Sequence, residues 1–146
     1  MSGKLLNIAI RTAKRAPMIE LEEAEVSLET GVANDLRGKP GKRQVTIISK
    51  ERWEEALAIV QTDLPWTTRR ANLMVEGIDF DALWGKQLRI GEVVLRVRGE
   101  CHPCGRMDEA HKGVKKAMKP RLRGGILCTV VVPGRIAKGD VVSIKS

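Results

Sequence analysis

The sequence predicts one mostly β domain that closes as a β-barrel and carries a few helices. Three observations predict it. About eight stretches read as strands, by alternation of apolar and polar residues or by runs of β-branched residues. Only two stretches carry a convincing helical period. The strands also follow one another without the strand-helix alternation of parallel α/β folds, so an antiparallel sheet that removes its edges by closure is expected.

The elements follow in order. "LLNIAIRT" is a strand, and Pro17 separates it from "PMIELEEAEVSLETG". There Ile19, Leu21, Ala24, Val26 and Leu28 keep a period-two pattern. "GVANDLRGKPGKRQ", from Gly31 to Gln44, is a long basic loop. Loops of that length in a compact domain tend to serve a site, here as its lip. "RQVTIIS" is a strand. In "SKERWEEALAIV" the period changes to a helix capped by Ser49, with Trp53, Leu57 and Val60 on one face. "ANLMVEG", "KQLRIG" and "EVVLRVRGE" are extended, the last two joined in a hairpin at Gly91. "RMDEAHKGVKKAMK" reads as a helix continuing through Gly113 to Pro120, and "GGILCTVVVPG" and "GDVVSIKS" as two last strands.

At 146 residues, with 42% hydrophobic and 30% charged residues, the chain has the size and composition of one globular domain, taken as residues 1–146. Its apolar runs are too short to span a bilayer, and its start lacks a signal-peptide cleavage region, so a cytoplasmic location is expected. Three cysteines, an odd and sparse set, favour thiols over a disulfide framework. Lys and Arg number 26 against 18 Asp and Glu, a net charge of +8, which suits anionic ligands or partners. With 3% aromatic residues, no Tyr and one Phe, the stacking platforms of single-strand nucleic-acid binders are scarcely available.

The chemistry concentrates in two places. In "GECHPCGRMDE" two cysteines flank His102 and Pro103. A structural zinc site wants two such pairs, and here there is one; His102, His111 and Cys128 would complete a set only by tertiary accident. A redox dithiol belongs near a βαβ unit, and this pair follows a series of strands. Cys101 reads as a semi-buried strand residue. Cys104, after Pro103 and near Arg106 and Lys112, reads as an exposed thiol in positive surroundings, suited to ligate a soft metal, carry a persulfide or attack an electrophile.

The second place is "TTRRANLMVEGID". In a strand, Arg69 and Arg70 point to opposite faces and cannot both serve one pocket unless the strand is bulged, so one is expected to be solvated. Arg70 with Asn72 makes a phosphate grip, to which the loop adds backbone N–H groups and Lys39, Lys42 or Arg43; a salt bridge on the barrel rim explains the same residues. Gly124 and Gly125 permit a bend or a close backbone approach, including one to a ligand.

The ordered series "NDLRGKPGKRQVTIIS", "LPWTTRRANLMVEGID", "GKQLRIGEVVLRVRGECHPCGRMDE", "RGGILCTVV" and "GRIAKGDVVSI", from about Val26 to the end, resembles the MOSC domain, named for the C-terminal region of molybdenum cofactor sulfurases. The resemblance implies a barrel-rich fold and the molybdenum cofactor, molybdopterin, as ligand. It implies Cys104 as the catalytic residue that holds molybdenum or a transferable sulfur, with Cys101 its companion. It implies Arg70 and Asn72 at the cofactor phosphate, and a loop from Asp35 to Arg43 closing the mouth. Asp35 matches a loop motif of many members, whereas Arg37 stands near the position of their histidine. The leading expectation is therefore a stand-alone domain that binds the cofactor or carries a persulfide, served by a sulfur donor such as a cysteine desulfurase. The second is a reductase of N-hydroxylated compounds that works with a separate electron-transfer protein. The third is a basic module for nucleic acid or acidic proteins. Carrier and enzyme stay open at this level, as does the oligomeric state.

Overall fold

The computed structural model describes residues 2–145. Its strands are β1 (Ser2–Ile10), β2 (Ile19–Leu21), β3 (Glu23–Ser27), β4 (Gly31–Val32), β5 (Val45–Ser49), β6 (Leu73–Glu76), β7 (Gln87–Ile90), β8 (Val93–Glu100), β9 (Ile126–Val132), β10 (Gly134–Ala137) and β11 (Val141–Lys145). The helices are α1 (Lys50–Ile59), α2 (Arg106–Ala110) and α3 (Val114–Met118), with single 3-10 turns at Trp66–Arg69, Phe80–Ala82 and Pro120–Leu122. No helix among them is long and apolar enough to cross a membrane.

Seven strands close into a barrel in the order β11, β7, β8, β9, β5, β6, β1, with β1 returning to β11. The closing edge of β1 is shared. Ser2 to Lys4 pair with β11, and Ile8 to Ile10 pair with β2. Strands β10, β3 and β4 form a separate small sheet. Register shifts between Leu5 and Asn7 in β1 and between Val97 and Gly99 in β8 mark bulges, which bend strands and so help a small sheet to close.

Inside the barrel lies one apolar cluster that includes Leu5, Ile8, Ile47, Leu73, Leu88, Leu95 and Ile126, each at most 1% exposed. Each such side chain contributes about 1.5–3 kcal/mol by leaving water. A second cluster lies under the helices, where Trp53, Leu57, Met107, Val114 and Met118 cover Ile48 and Met74. Helix α1 starts where expected, since Ser49 Oγ accepts from Arg52 N at 3.2 Å and Glu51 sits in the first turn.

The barrel thus matches the fold class, and four local expectations are corrected. The period-two run from Ile19 to Leu28 is two strands broken at Glu22, because β2 joins β1 while β3 joins β10; Ile19 and Leu28 are exposed. The helix expected across Gly113 is two helices: His111 is extended and Gly113 is left-handed at φ 94°. The C-terminal part holds three strands, with β10 added. Finally, β5 and β6 are parallel and are joined by α1, a single crossover in an otherwise antiparallel barrel.

Candidate functional site

Four segments converge on one cleft of about 140 Å³: the end of β1, the turn before β6, the segment leaving β8, and the loop before β5. Its lining includes six arginines, Arg11, Arg37, Arg43, Arg69, Arg70 and Arg106, together with Asp35, Asn72, Cys101, His102 and Cys104.

The two consecutive arginines are not in a strand. Arg69 ends a 3-10 turn, and Arg70 is its left-handed cap at φ 62° and ψ 33°. That backbone sends both side chains to the same cleft, so the expectation that one would be solvated is overturned. They do different work. Arg69 is 9% exposed and acts as a latch. Its Nε donates to Gly124 O at 2.9 Å, and its Nη2 lies 3.1 Å from both Cys101 O and Cys101 Sγ and 3.4 Å from His102 O. Arg70 Nη2 donates to Ala16 O, while its Nε is buried with no hydrogen-bond partner among the described residues. Such an orphaned donor is costly and is the strongest local sign of a missing acceptor.

Asn72 is buried, and its amide oxygen and one of its two amide hydrogens are engaged. Oδ1 accepts from Thr46 N at 3.0 Å and from Thr46 Oγ1 at 3.3 Å, and Nδ2 donates to Ala9 O at 3.2 Å. It ties β1 and β5 to the start of β6, in the wall of the cleft that Arg70 lines. Asp35 is likewise engaged: its carboxylate accepts from Arg11 N at 3.1 Å and from Arg37 N at 3.2 Å. The far end of that loop is pinned by buried Gln44, whose Nε2 donates to Leu28 O at 2.8 Å and to Gly38 O at 3.0 Å, and whose Oε1 accepts from Val130 N at 2.9 Å. Of the loop's basic residues, Arg37 and Arg43 line the cleft, and Lys39 and Lys42 do not.

Gly124 and Gly125 serve the chain itself rather than a ligand. A Cβ on Gly124 would sit 2.4 Å from Cys101 O, and one on Gly125 would sit 2.5 Å from Ile47 O. This close approach lets Cys101 N donate to Gly125 O at 2.9 Å, fixing the segment that carries the cysteines.

All three cysteines are free. Cys104 is exposed at the cleft, Cys101 is buried in its wall, and Cys128 is buried inside the barrel. From Cys101 to Cys104 the chain has no regular secondary structure, and Met107 N then donates to Cys104 O at 3.0 Å. Among the described residues, no three His, Cys, Asp or Glu side chains cluster as metal ligands. Burial pushes the Cys128 thiol far up from its ordinary value, so it stays protonated wherever the barrel is folded. Alkylation of the native protein at mildly alkaline pH is therefore expected to modify Cys104 rapidly and leave Cys128 intact until denaturant is added. Rapid loss of Cys128 in native buffer would show that the barrel opens locally.

Electrostatically the cleft is one-sided. None of the six arginines forms a salt bridge with a carboxylate among the described residues, whereas Arg52, Arg121, Arg123 and Arg135 elsewhere do. Burial, then the charges of Arg37, Arg70 and Arg106, lower the pKa of Arg11 against the opposing pull of Asp35. Burial, Arg106 and Arg15 do the same to Arg70. An anion in the cleft would relieve both. Of these residues Arg11 carries no local sequence signal; it is a polar residue ending an alternating strand, and only closure of the barrel brings it to Arg70.

The site is a small closed barrel that presents one exposed thiol to a cleft lined by guanidinium groups without a salt bridge among the described residues. The chain belongs to the MOSC domain family, whose model matches residues 29–143. That family is linked to the molybdenum cofactor and to sulfurase-related functions. In three dimensions the chain is similar to the YuaD protein from Bacillus subtilis, with TM-score 0.82 at 20% identity, over 100% of this chain and 97% of that one. It is also similar to YiiM from Escherichia coli, with TM-score 0.73 at 18% identity over 100% of this chain and 70% of that one. YiiM from Geobacillus stearothermophilus gives 0.79 at 13% identity over 99% and 75%. At these identities the likeness is one of fold. No curated protein matches the chain in sequence.

Proposed function

We propose that the cleft binds the molybdenum cofactor, with Cys104 as the sulfur that ligates its metal or carries a sulfur to it. The observation that carries this reading is the pairing of an exposed thiol with the buried, unpartnered Nε of Arg70 in the same cleft. The residues fit the group. A phosphate monoester would accept from Arg70 Nε, with Arg11 and Arg106 adding charge and the second amide hydrogen of Asn72 a further donor from the cleft wall. The soft sulfur of Cys104 suits a soft metal or a sulfane sulfur. When bound, the cofactor would supply a metal centre capable of redox change.

As a carrier, Cys104 needs no oxidant. Its thiolate attacks the outer sulfur of a donor persulfide; a new sulfur–sulfur bond forms on Cys104 as the donor's breaks, and the donor leaves as a thiolate. A cysteine desulfurase is the donor class this chemistry calls for. The second reading, reduction of N-hydroxylated compounds with a separate electron-transfer partner, draws on His102. Its ring is exposed at the same cleft, with Nδ1 3.8 Å from Glu100 Oε2, and N–O cleavage consumes protons.

The test is the molybdenum and pterin content of protein purified from a cofactor-producing host, wild type beside Cys104→Ala. Equimolar metal and pterin in the wild type, lost in the variant, supports the cofactor site. Absence of both from the wild type overturns resident binding, and a persulfide on Cys104 by mass then selects the carrier.

A further inference from the structure

Unpaired positive charge also gathers away from the cleft, on the outer wall of the barrel. Strands β11, β7, β8 and β9 lie side by side, and apart from Glu100 at the end of β8 they hold no carboxylate side chain. Lys145 pairs with Gln87, and Gln87 with Arg96, so these three side chains leave the same face of the sheet. Their neighbours Leu88, Leu95 and Val97 belong to the apolar cluster inside the barrel, so that face is the outer one. Arg89, two residues after Gln87, is on the same side and stands diagonal to both Arg96 and Lys145, about 7–8 Å from each. Arg98, which the register of β8 with β9 skips, is exposed as well. None of these four cations forms a salt bridge among the described residues.

The small sheet treats the same situation differently, for there exposed Arg135 of β10 is met by Glu23 and Glu25 of β3. Glu92, at the tip of the β7–β8 hairpin, is turned to Arg135 N at 3.3 Å. Like charges set this close repel, so a face that gathers four of them without a counter-charge suits a partner that brings carboxylates. Two observations point to a protein partner working at Cys104. Val141 stands diagonal to Arg89 at 63% exposure, and Val131 is 38% exposed on β9; apolar side chains beside arginine suit a protein interface better than a phosphate backbone. Strand β8 also runs from this face into the segment of the thiol. Arg98 and Cys104 are six residues apart, at most about 21 Å of chain. A standard interface covers about 800 Å² of each partner, roughly 30 Å across, which spans that distance.

We infer that the outer face of β11, β7, β8 and β9 docks an acidic surface of the sulfur-donor protein that loads Cys104. The inference rests on the carrier reading of Cys104, and the experiment separates the two. Persulfide on Cys104 is followed by mass with two donors. One is a cysteine desulfurase supplied with cysteine; the other is glutathione persulfide, a small molecule that hands over its outer sulfur by the same exchange without docking. Three proteins are compared: wild type, Arg89→Gln/Arg96→Gln/Arg98→Gln, and the charge-matched control Lys115→Gln/Lys116→Gln/Lys119→Gln on α3. At low salt the desulfurase is expected to load the sheet variant at least about tenfold more slowly than wild type and the control within about twofold of it, and added salt is expected to shrink the difference. Glutathione persulfide is expected to load all three at rates within about twofold, and thermal midpoints report that each is folded. The docking face is overturned, with Cys104 left a carrier, if the desulfurase loads the sheet variant as fast as wild type, slows as much on the control, or loads wild type no faster than glutathione persulfide at equal concentration. Unchanged loading together with loss of salt-sensitive duplex DNA binding in the sheet variant gives the face to nucleic acid instead. No persulfide on Cys104 from either donor overturns the carrier reading and the inference with it.

Discussion

Replacing Arg69 with alanine is expected to destabilise the fold by about 3 kcal/mol and to open the segment that carries the cysteines. The buried guanidinium bonds to Gly124 O, Cys101 O and His102 O, and no other side chain donates to these carbonyls among the described residues. Hydrogen bonds from a charged donor contribute about 1.5–3 kcal/mol each, and truncation also leaves the carbonyls unsatisfied. Lysine is not expected to rescue, because one ammonium cannot reach Gly124 and Cys101 together as the fork does. Two readouts check this: the denaturant midpoint, and the rate at which Cys101 is alkylated in native buffer. A variant as stable as wild type with Cys101 still protected would show that Arg69 is not the latch.

Arg70→Gly is expected to act in the opposite direction on stability while removing ligand affinity. Arg70 occupies a left-handed backbone conformation at φ 62°, where glycine avoids about 1 kcal/mol of steric cost. It also buries an unpartnered Nε among Arg11, Arg106 and Arg15. The variant loses the bond to Ala16 O and gains relief from strain, desolvation and repulsion, so its thermal midpoint should equal or exceed that of wild type. Its affinity for inorganic phosphate should fall at least about tenfold. A lowered midpoint with unchanged phosphate affinity would make Arg70 a structural residue and remove the phosphate anchor. Residues held in sparsely populated backbone regions cluster at active sites and ligand clamps, and Arg70 combines such a backbone with an unpartnered buried donor.

The site was partly legible in the sequence. Cys104 stood out because Pro103 and the helical pattern after it place a thiol at an exposed segment end, and the structure has it so. Arg43 and the basic loop were marked by length and charge. Arg69 and Arg70 stand out as a pair, but their turn does not, because a 3-10 turn of four residues carries no periodicity to read. Asn72 illustrates another limit. Its residue type suggests a phosphate donor, yet its partners are backbone and hydroxyl groups of β1 and β5, which only strand pairing brings within reach. Gly124 and Gly125 suggested close approach, and what approaches is the chain's own backbone at Cys101 and Ile47.

The sequence by itself determined the mostly β class, the capped helix after Ser49, the hairpin at Gly91, the family and the exposed thiol. The class, the helix, the hairpin and the thiol rest on periodicity or on residues a few positions apart, and the family on the order of motifs along the chain. Only the tertiary structure decided that β5 and β6 run parallel, that β3 leaves the barrel for β10, and that Arg11, Arg37, Arg70 and Arg106 meet in one cleft. The physical reason is that closure pairs strands distant in sequence, and the charges it assembles lie on turns and strand ends, whose directions local patterns do not set.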